Sequence, residues 1–263
     1  EDNNKSNCNP PTKLKNPKIF KPFEMYIKMY GLPDYHELDP TIFVALTYSF
    51  IFGVMFGDVG QGLLLAIGGF ALYKWKQVTL GAIIGTAGIF STFFGFMFGS
   101  IFGFEHTIDA LWLRPVEAMT LVPGLGQVNT IFVVAIVFGM FLILVTMIFH
   151  IINAVRTHDT EGIWFDQNSV CGLIFYGTLT VSALLFLTGK SLPAAIILIV
   201  MFAVPLVVIM LKEPITHIVE KKTPVIEGSK PMFFIQSFFE LFEIMLSFLS
   251  NTLSFVRIGA FAV

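Results

Sequence analysis

The sequence predicts an all-α protein that crosses a lipid bilayer several times. Of its 263 residues, 55% are apolar and 13% are charged, and the mean hydropathy is +0.79. Soluble domains carry about 25% charged residues, so the deficit points to lipid as part of the solvent. Six long stretches are nearly free of charge, and the first of them must be divided. We therefore predict a polytopic bundle of about seven transmembrane helices.

The first apolar stretch, residues 41–73, is predicted to fold as a helical hairpin. One helix of this length would be about 50 Å long, whereas the hydrocarbon core is about 30 Å thick. Its middle, Phe56 to Gly62, holds three glycines, an aspartate and a glutamine, which mark a break. This divides the stretch into helices at 41–57 and 61–75. Asp58 in the break has two interpretations, an N-cap of the second helix or a contact for an ion.

The other helices are predicted from the length of the remaining apolar stretches, which hold few or no charged residues. They are predicted at 78–104, 127–155, 167–189, 191–211 and 232–263.

The distribution of lysine and arginine supports seven helices with residues 1–40 as a polar segment in the cytoplasm. Thirteen of the sixteen basic residues then lie on the cytoplasmic side, as the positive-inside rule requires. These are Lys5, Lys13, Lys15, Lys18, Lys21, Lys28, Lys74, Lys76, Arg156, Lys212, Lys221, Lys222 and Lys230. Arg114 and Lys190 lie outside, and Arg257 lies within the last helix.

The last predicted helix carries a polar stripe on an apolar body. Its members recur at the spacing of one helical face. They are Gln236, Glu240, Glu243, Ser247, Ser250, Asn251, Ser254 and Arg257. A charge at the centre of a spanning helix costs at least about 2.5–3.5 kcal/mol, so such residues are functional by default.

Two alternatives bear on the charges of this stripe. Glu243 and Arg257 are about 21 Å apart along a helix, so they cannot form a local ion pair. Glu240 and Glu243 are like charges one turn apart, so they repel each other. The stripe predicts an ion-translocation path. The structural alternative places both glutamates at the membrane interface and pairs Arg257 with another helix.

Three motifs resemble the membrane stator subunit of V-type and A-type rotary ATPases, called subunit I in bacteria and archaea and subunit a in eukaryotes. The run from Ser250 to Ala262 resembles the helix that carries the family's essential arginine. The runs from Val54 to Gly62 and from Phe94 to Gly103 resemble its first hairpin and the glycine-rich end of its third helix. The resemblance implies a large N-terminal arm before this segment and eight membrane helices, the eighth lying beyond Val263, with the helix of Arg257 long and tilted.

The resemblance also implies how the stripe works. Arg257 would separate two aqueous half-channels and attract the ionised carboxylate of a rotating c-type proteolipid ring. Glu243 matches a family position in the cytoplasmic half-channel, and Ser247 and Asn251 match polar positions on the same wall. Glu240 and Ser254 join this set through the periodicity alone. The further partners would be the peripheral-stalk and central-stalk-cap subunits and the lipid bilayer of a prokaryotic plasma membrane.

Two other classes compete with this interpretation. A secondary transporter could use the charged last helix for coupling, but that class usually shows broken helices in two matching halves. A structural anchor would need no charge at position 257. No phosphate-binding GxxxxGK[ST] motif and no basic patch typical of nucleic-acid binding is present in the sequence. We expect no cofactor, no metal site and no catalysis by this chain alone, and the sequence leaves H⁺ and Na⁺ open as the ion.

Overall fold

The structure is a computed structural model that describes residues 12–34, 36–104, 108–122, 126–219 and 230–263. The described chain is mostly helical, with one two-stranded antiparallel sheet, which confirms the predicted all-α class. It forms two compact units. Unit 1 comprises Glu1–Phe96 with Ser100–Phe104, and unit 2 comprises Met97–Gly99 with Glu105–Val263.

Unit 1 contains the predicted hairpin. A 3₁₀ turn at Lys21–Phe23 leads into a short helix, and three longer helices follow. The helices are α1 (Glu24–Tyr30), α2 (Thr41–Met55), α3 (Val59–Lys76) and α4 (Thr79–Phe98). The hairpin break lies at residues 56–58, close to where the glycines indicated it.

Helix α4 ends at Phe98, six residues before the predicted end at 104. Gly99 has a φ of +76°, a left-handed conformation that terminates helices and suits glycine. The chain then turns back on itself, and Ile101 and Phe104 form an isolated antiparallel bridge. Apolar composition alone extended the prediction through this turn.

Glycines on α4 allow close packing against α3. A Cβ added at Gly88 would lie 2.4 Å from the backbone nitrogen of Ala66, and one added at Gly95 would lie 2.3 Å from that of Val59. Real Cβ atoms do not approach so closely, so these positions accept only glycine without a backbone shift. Small residues serve the same purpose in other membrane helix pairs.

The described residues of unit 2 form a pair of β-strands followed by seven helices. The strands β1 (Met119–Val122) and β2 (Gly126–Asn129) are antiparallel. The helices are α5 (Thr130–Thr157), α6 (Thr160–Trp164), α7 (Val170–Leu187), α8 (Ala195–Met210), α9 (Lys212–Val219), α10 (Lys230–Ser254) and α11 (Val256–Ala262).

Three features of unit 2 differ from the sequence prediction. The helix predicted from 127 starts at Thr130, because residues 126–129 pair as a strand. The short helices α6 and α9 lie between the predicted membrane helices, where the sequence prediction has no helix. The last helix, predicted as continuous over 232–263, divides at Phe255.

Four helical segments among the described residues are long and apolar enough to cross a membrane. They are Thr79–Phe98, Thr130–Thr157, Val170–Leu187 and Met232–Ala262, the last combining α10 and α11. Helices α2 and α8 are apolar but shorter, with 15 and 16 residues. The structure thus contains several candidate membrane spans, and the count of seven membrane helices stays a prediction.

The core of unit 2 fixes the position of α10. Its buried cluster draws side chains from four helices, α5, α7, α8 and α10. The members are Met140, Met147, Phe175, Tyr176, Ile209, Ile244 and Phe248. The ring of Phe248 stacks on Phe175, with centroids 5.9 Å apart and planes at 27°. One face of α10 therefore packs in the core, and this packing sets the direction in which the other faces of the helix point.

Candidate functional site: the polar face of the last helix

Helix α10 presents three faces, each with its own chemistry. The buried face packs into the core of unit 2 and includes Ser237, Ile244, Phe248 and Thr252. The exposed apolar face includes Phe238, Phe242, Met245, Leu249 and Leu253. The third face lies between them, and we call it the polar face of α10. Its members are Glu240, Glu243, Ser247, Asn251 and Ser254.

The structure brings the predicted site residues of α10 to this one face. Glu243, Asn251 and Ser254 are exposed, whereas Glu240 and Ser247 are half-buried. The side-chain amide of Asn251 lies 3.4 Å from the hydroxyl oxygen of Ser247, a long hydrogen bond within the face. In the part of the chain that the structure describes, Glu243 forms no ion pair and no hydrogen bond through its carboxylate.

Arg257 lies just beyond the helix break, on α11. Its side chain is exposed, and no carboxylate of the described residues lies within ion-pair distance. At the break the backbone tightens. Phe255 N–H donates to the carbonyl of Thr252 at 3.2 Å, and Ile258 N–H donates to the carbonyl of Phe255 at 3.0 Å. Such i→i−3 bonds form a local 3₁₀ turn, a common feature of helix ends.

Two interlocking contacts hold the segment of Arg257 against α5. The ring of Phe255 fills the space that a side chain at Gly139 would occupy, since a Cβ there would lie 2.2 Å from its Cγ. In the reverse direction, a Cβ at Gly259 would lie 2.9 Å from Cδ1 of Phe132. These contacts flank Arg257 on both sides along the chain. The position of its backbone is therefore fixed by packing rather than by its charge.

A buried hydrogen bond joins α10 to α7 a few residues before the break at Phe255. The hydroxyl oxygens of Tyr176 and Thr252 lie 2.6 Å apart, and Tyr176 is fully buried. The Thr252 hydroxyl donates to the carbonyl of Phe248 at 2.7 Å. Since threonine has one hydroxyl proton, Tyr176 is the donor to Thr252. This bond helps set the rotation of α10, because Asn251 and Thr252 must then point to different faces.

At the other end of the polar face, Glu240 forms an ion pair with Lys212, the first residue of α9. The lysine side chain is 18% exposed and the glutamate side chain is 37% exposed. Burial alone would lower the pKa of Lys212. The hydrogen bond and charge of Glu240, with smaller contributions from Asp166 and Glu161, raise that pKa above its ordinary value. The sequence prediction counted Lys212 only among the basic residues on the cytoplasmic side.

Asp58 belongs to unit 1 and caps α3. Its carboxylate accepts hydrogen bonds from Gln61 N at 2.8 Å, Gly103 N at 2.7 Å and Ser100 Oγ at 3.1 Å. Burial alone would raise the pKa of Asp58, but these hydrogen bonds outweigh it and lower the pKa. The carboxylate thus ties the α2–α3 turn to the segment after α4. Of the two interpretations, the structure shows the capping geometry.

Two residues that shape the site escaped the sequence reasoning. Tyr176 is one aromatic residue among many in an apolar helix, and no local pattern sets it apart. Gly139 is a lone glycine on α5, a position that signals close packing in membrane helices in general. That signal could have marked a contact there, although not the identity of the partner, Phe255.

The fold and this site define a class of protein. The helices are apolar and long enough to span a membrane, and the last of them exposes a charged and polar face, so the chain is an integral membrane protein. Comparisons with known sequences then narrow the class. Residues 2–114 match the V-type ATPase 116kDa subunit family. Three relatives named subunit I match larger parts of the chain.

The first of these, an A-type ATP synthase subunit I of Pyrococcus horikoshii, is 30% identical over 97% of this chain and 36% of its own length. The subunit of the same name from Aeropyrum pernix is 28% identical over 96% of this chain and 40% of its own length. A V-type ATP synthase subunit I 2 of Treponema pallidum is 29% identical over 61% of this chain and 39% of its own length.

These matches confirm the resemblance drawn from the sequence: the chain is a homologue of V-type and A-type ATPase subunit I. It spans between 36 and 40% of the length of these three relatives.

Proposed function

We propose that this chain is the ion-translocating membrane segment of a rotary ATPase stator, and that the polar face of α10 with Arg257 forms its ion path. One observation carries the proposal. The side chains of Glu243, Asn251, Ser254 and Arg257 are exposed on the surface of the folded unit, along one side of α10 and α11. In a bilayer such a face requires a protein or water partner, because lipid cannot solvate it.

The chemistry of the face suits a moving carboxylate as that partner. The guanidinium of Arg257 stays protonated in proteins. It would favour the ionised form of a ring carboxylate that passes it, and so force release of the ion that the carboxylate carries. A fixed positive charge between two half-channels would also oppose a direct leak of cations between them.

The remaining residues of the face supply a graded path. Glu243 lies 14 positions before Arg257, about 21 Å along a straight helix. Between these two charges lie the small polar side chains of Ser247, Asn251 and Ser254. A carboxylate at one end, neutral hydrogen-bonding groups along the wall and an arginine at the barrier would conduct an ion as far as the ring and no further.

The setting of this path follows from the distribution of charge and from the relatives. Thirteen basic residues on one side favour a cytoplasmic N-terminal segment. The organisms of the three relatives favour a prokaryotic plasma membrane. Partners in the same complex would be the proteolipid c-type ring and the stalk subunits, with ATP chemistry on other chains. Because the ring carboxylate would select the ion, either H⁺ or Na⁺ is compatible with the face of α10.

Site-directed photo-crosslinking in the assembled complex tests this proposal. A photoreactive side chain at Asn251, on the polar face, is expected to label a proteolipid subunit. The same group at Leu249, on the exposed apolar face two residues away, is the matched control and is expected not to label the ring. Labelling of the ring from Leu249 but not from Asn251 would show that the polar face has another partner.

A further inference from the structure

The ion pair between Lys212 and Glu240 joins two elements that are 28 residues apart in sequence. Lys212 opens α9, directly after α8, and Glu240 lies near the middle of α10. Helices α8 and α10 are also in contact. The pair is half-buried rather than a surface pair, so both its attraction and the cost of breaking it exceed those of exposed pairs.

The charges around Lys212 form a small network in unit 2. Glu161 on α6 and Asp166 in the following turn act on Lys212 electrostatically. Asp166 in turn lies 3.8 Å from Nε2 of His150, on α5. Among the described carboxylates, Glu240 is the one within hydrogen-bond distance of the Lys212 ammonium. The lysine therefore compensates the charge of Glu240 directly.

The two carboxylates of the polar face are thus not equivalent. Glu240 is half-buried and paired, whereas Glu243, one turn further, is exposed and forms no ion pair with the described residues. Two unpaired carboxylates at this spacing would repel each other. The ion pair with Lys212 compensates the charge of Glu240 and leaves Glu243 as the carboxylate of this pair without a cationic partner among the described residues.

We propose that Lys212 is a positioning residue that anchors Glu240 to α9, which leaves Glu243 as the carboxylate that the ion meets. The proposal rests on the ion path described above and changes one of its members. Glu240, which the sequence placed in the path, becomes the anchor of α10. Lys212 has two effects: it fixes α10 at a point one turn before Glu243, and it compensates a competing negative charge beside Glu243.

The matched variants Glu240→Gln and Glu243→Gln test this division in the purified complex reconstituted in liposomes. ATP-driven ion uptake is expected to stay within about twofold of wild type for Glu240→Gln, since the amide oxygen of glutamine can still accept a hydrogen bond from the Lys212 ammonium. It is expected to fall by about tenfold or more for Glu243→Gln, the loss of one charge in the path. Equal losses in the two variants would overturn the proposal.

Variants of Lys212 supply a readout that a merely structural role would not change. Lys212→Gln is expected to lower uptake, because the charge of Glu240 then lies uncompensated beside Glu243. The double variant Lys212→Gln with Glu240→Gln is expected to bring uptake back to about the wild-type level, and the conservative Lys212→Arg is expected to retain it. Uptake that stays low in the double variant would contradict the proposal.

Arg257→Ala separates failure of this inference from failure of the proposed function. If Arg257→Ala retains uptake, the ion path itself is wrong. If Arg257→Ala loses uptake while Glu240→Gln and Glu243→Gln behave alike, the path stands and only the assignment of Lys212 fails.

Discussion

Replacement of Arg257 by alanine is expected to abolish ATP-driven ion uptake, with a loss of about 100-fold, the equivalent of a single charge in the membrane interior. The guanidinium is the one feature of α11 that could attract a ring carboxylate and release its ion. Its removal leaves the path without a barrier. Uptake by the purified complex in liposomes, with the amount of this subunit per complex as a second readout, provides the measurement.

The assembly of the complex is expected to survive this change. Arg257 is exposed, and its segment is held by Phe255 and Gly259 against α5 rather than by the arginine side chain. Arg156→Ala, at the exposed end of α5, is the matched control and should leave uptake unchanged. Uptake within twofold of wild type in Arg257→Ala would favour a structural anchor over an ion path.

Gly139→Ala is expected to reduce uptake strongly. Residue 139 carries no charge and is far from α10 in sequence, so the effect would come from packing alone. The new Cβ would lie 2.2 Å from Cγ of Phe255 and 2.7 Å from its Cβ, so the root of that side chain must move. Overpacking of this kind costs about 1–3 kcal/mol. Because Arg257 lies two residues after Phe255, the displacement reaches the barrier, and a shift of about 1 Å can cost about 100-fold in rate.

The control for this prediction is Gly177→Ala on α7. A Cβ at Gly177 meets nothing nearer than Cδ2 of Leu144, at 3.9 Å, so this substitution adds the same methyl group without a clash. Uptake and melting temperature of Gly177→Ala should match those of wild type. If both glycine variants behave alike, the contact between Phe255 and Gly139 does not position Arg257.

The sequence predicted those features that depend on composition and on local periodicity. The apolar stretches gave the all-α class, and the glycines around Asp58 gave the break between α2 and α3. The i, i+3, i+4, i+7 spacing from Glu240 to Ser254 placed those side chains on one face, because the period of a helix is fixed by its backbone geometry. These relations are local and need no knowledge of tertiary contacts.

The features that the sequence missed depend on contacts between distant parts of the chain. The hydrogen bond between Tyr176 and Thr252 joins residues 76 apart, and the ion pair of Lys212 with Glu240 joins residues 28 apart. Both depend on which helices pack together. The division at Phe255 was also missed, since its surroundings read as a continuous apolar helix and no proline or paired glycine marks the turn.

Arg257→Lys tests the central claim most directly, because it keeps a basic side chain but gives up the guanidinium that stays charged. In the proposed contact with the ring, position 257 would be shielded from water, where a lysine can lose its proton and arginine does not. ATP-driven uptake of the reconstituted complex should be measured with and without Na⁺ over a range of pH, beside ATP hydrolysis and subunit content. The account predicts an assembled complex whose uptake is lost or confined to low pH. Full uptake at every pH in Arg257→Lys would contradict it.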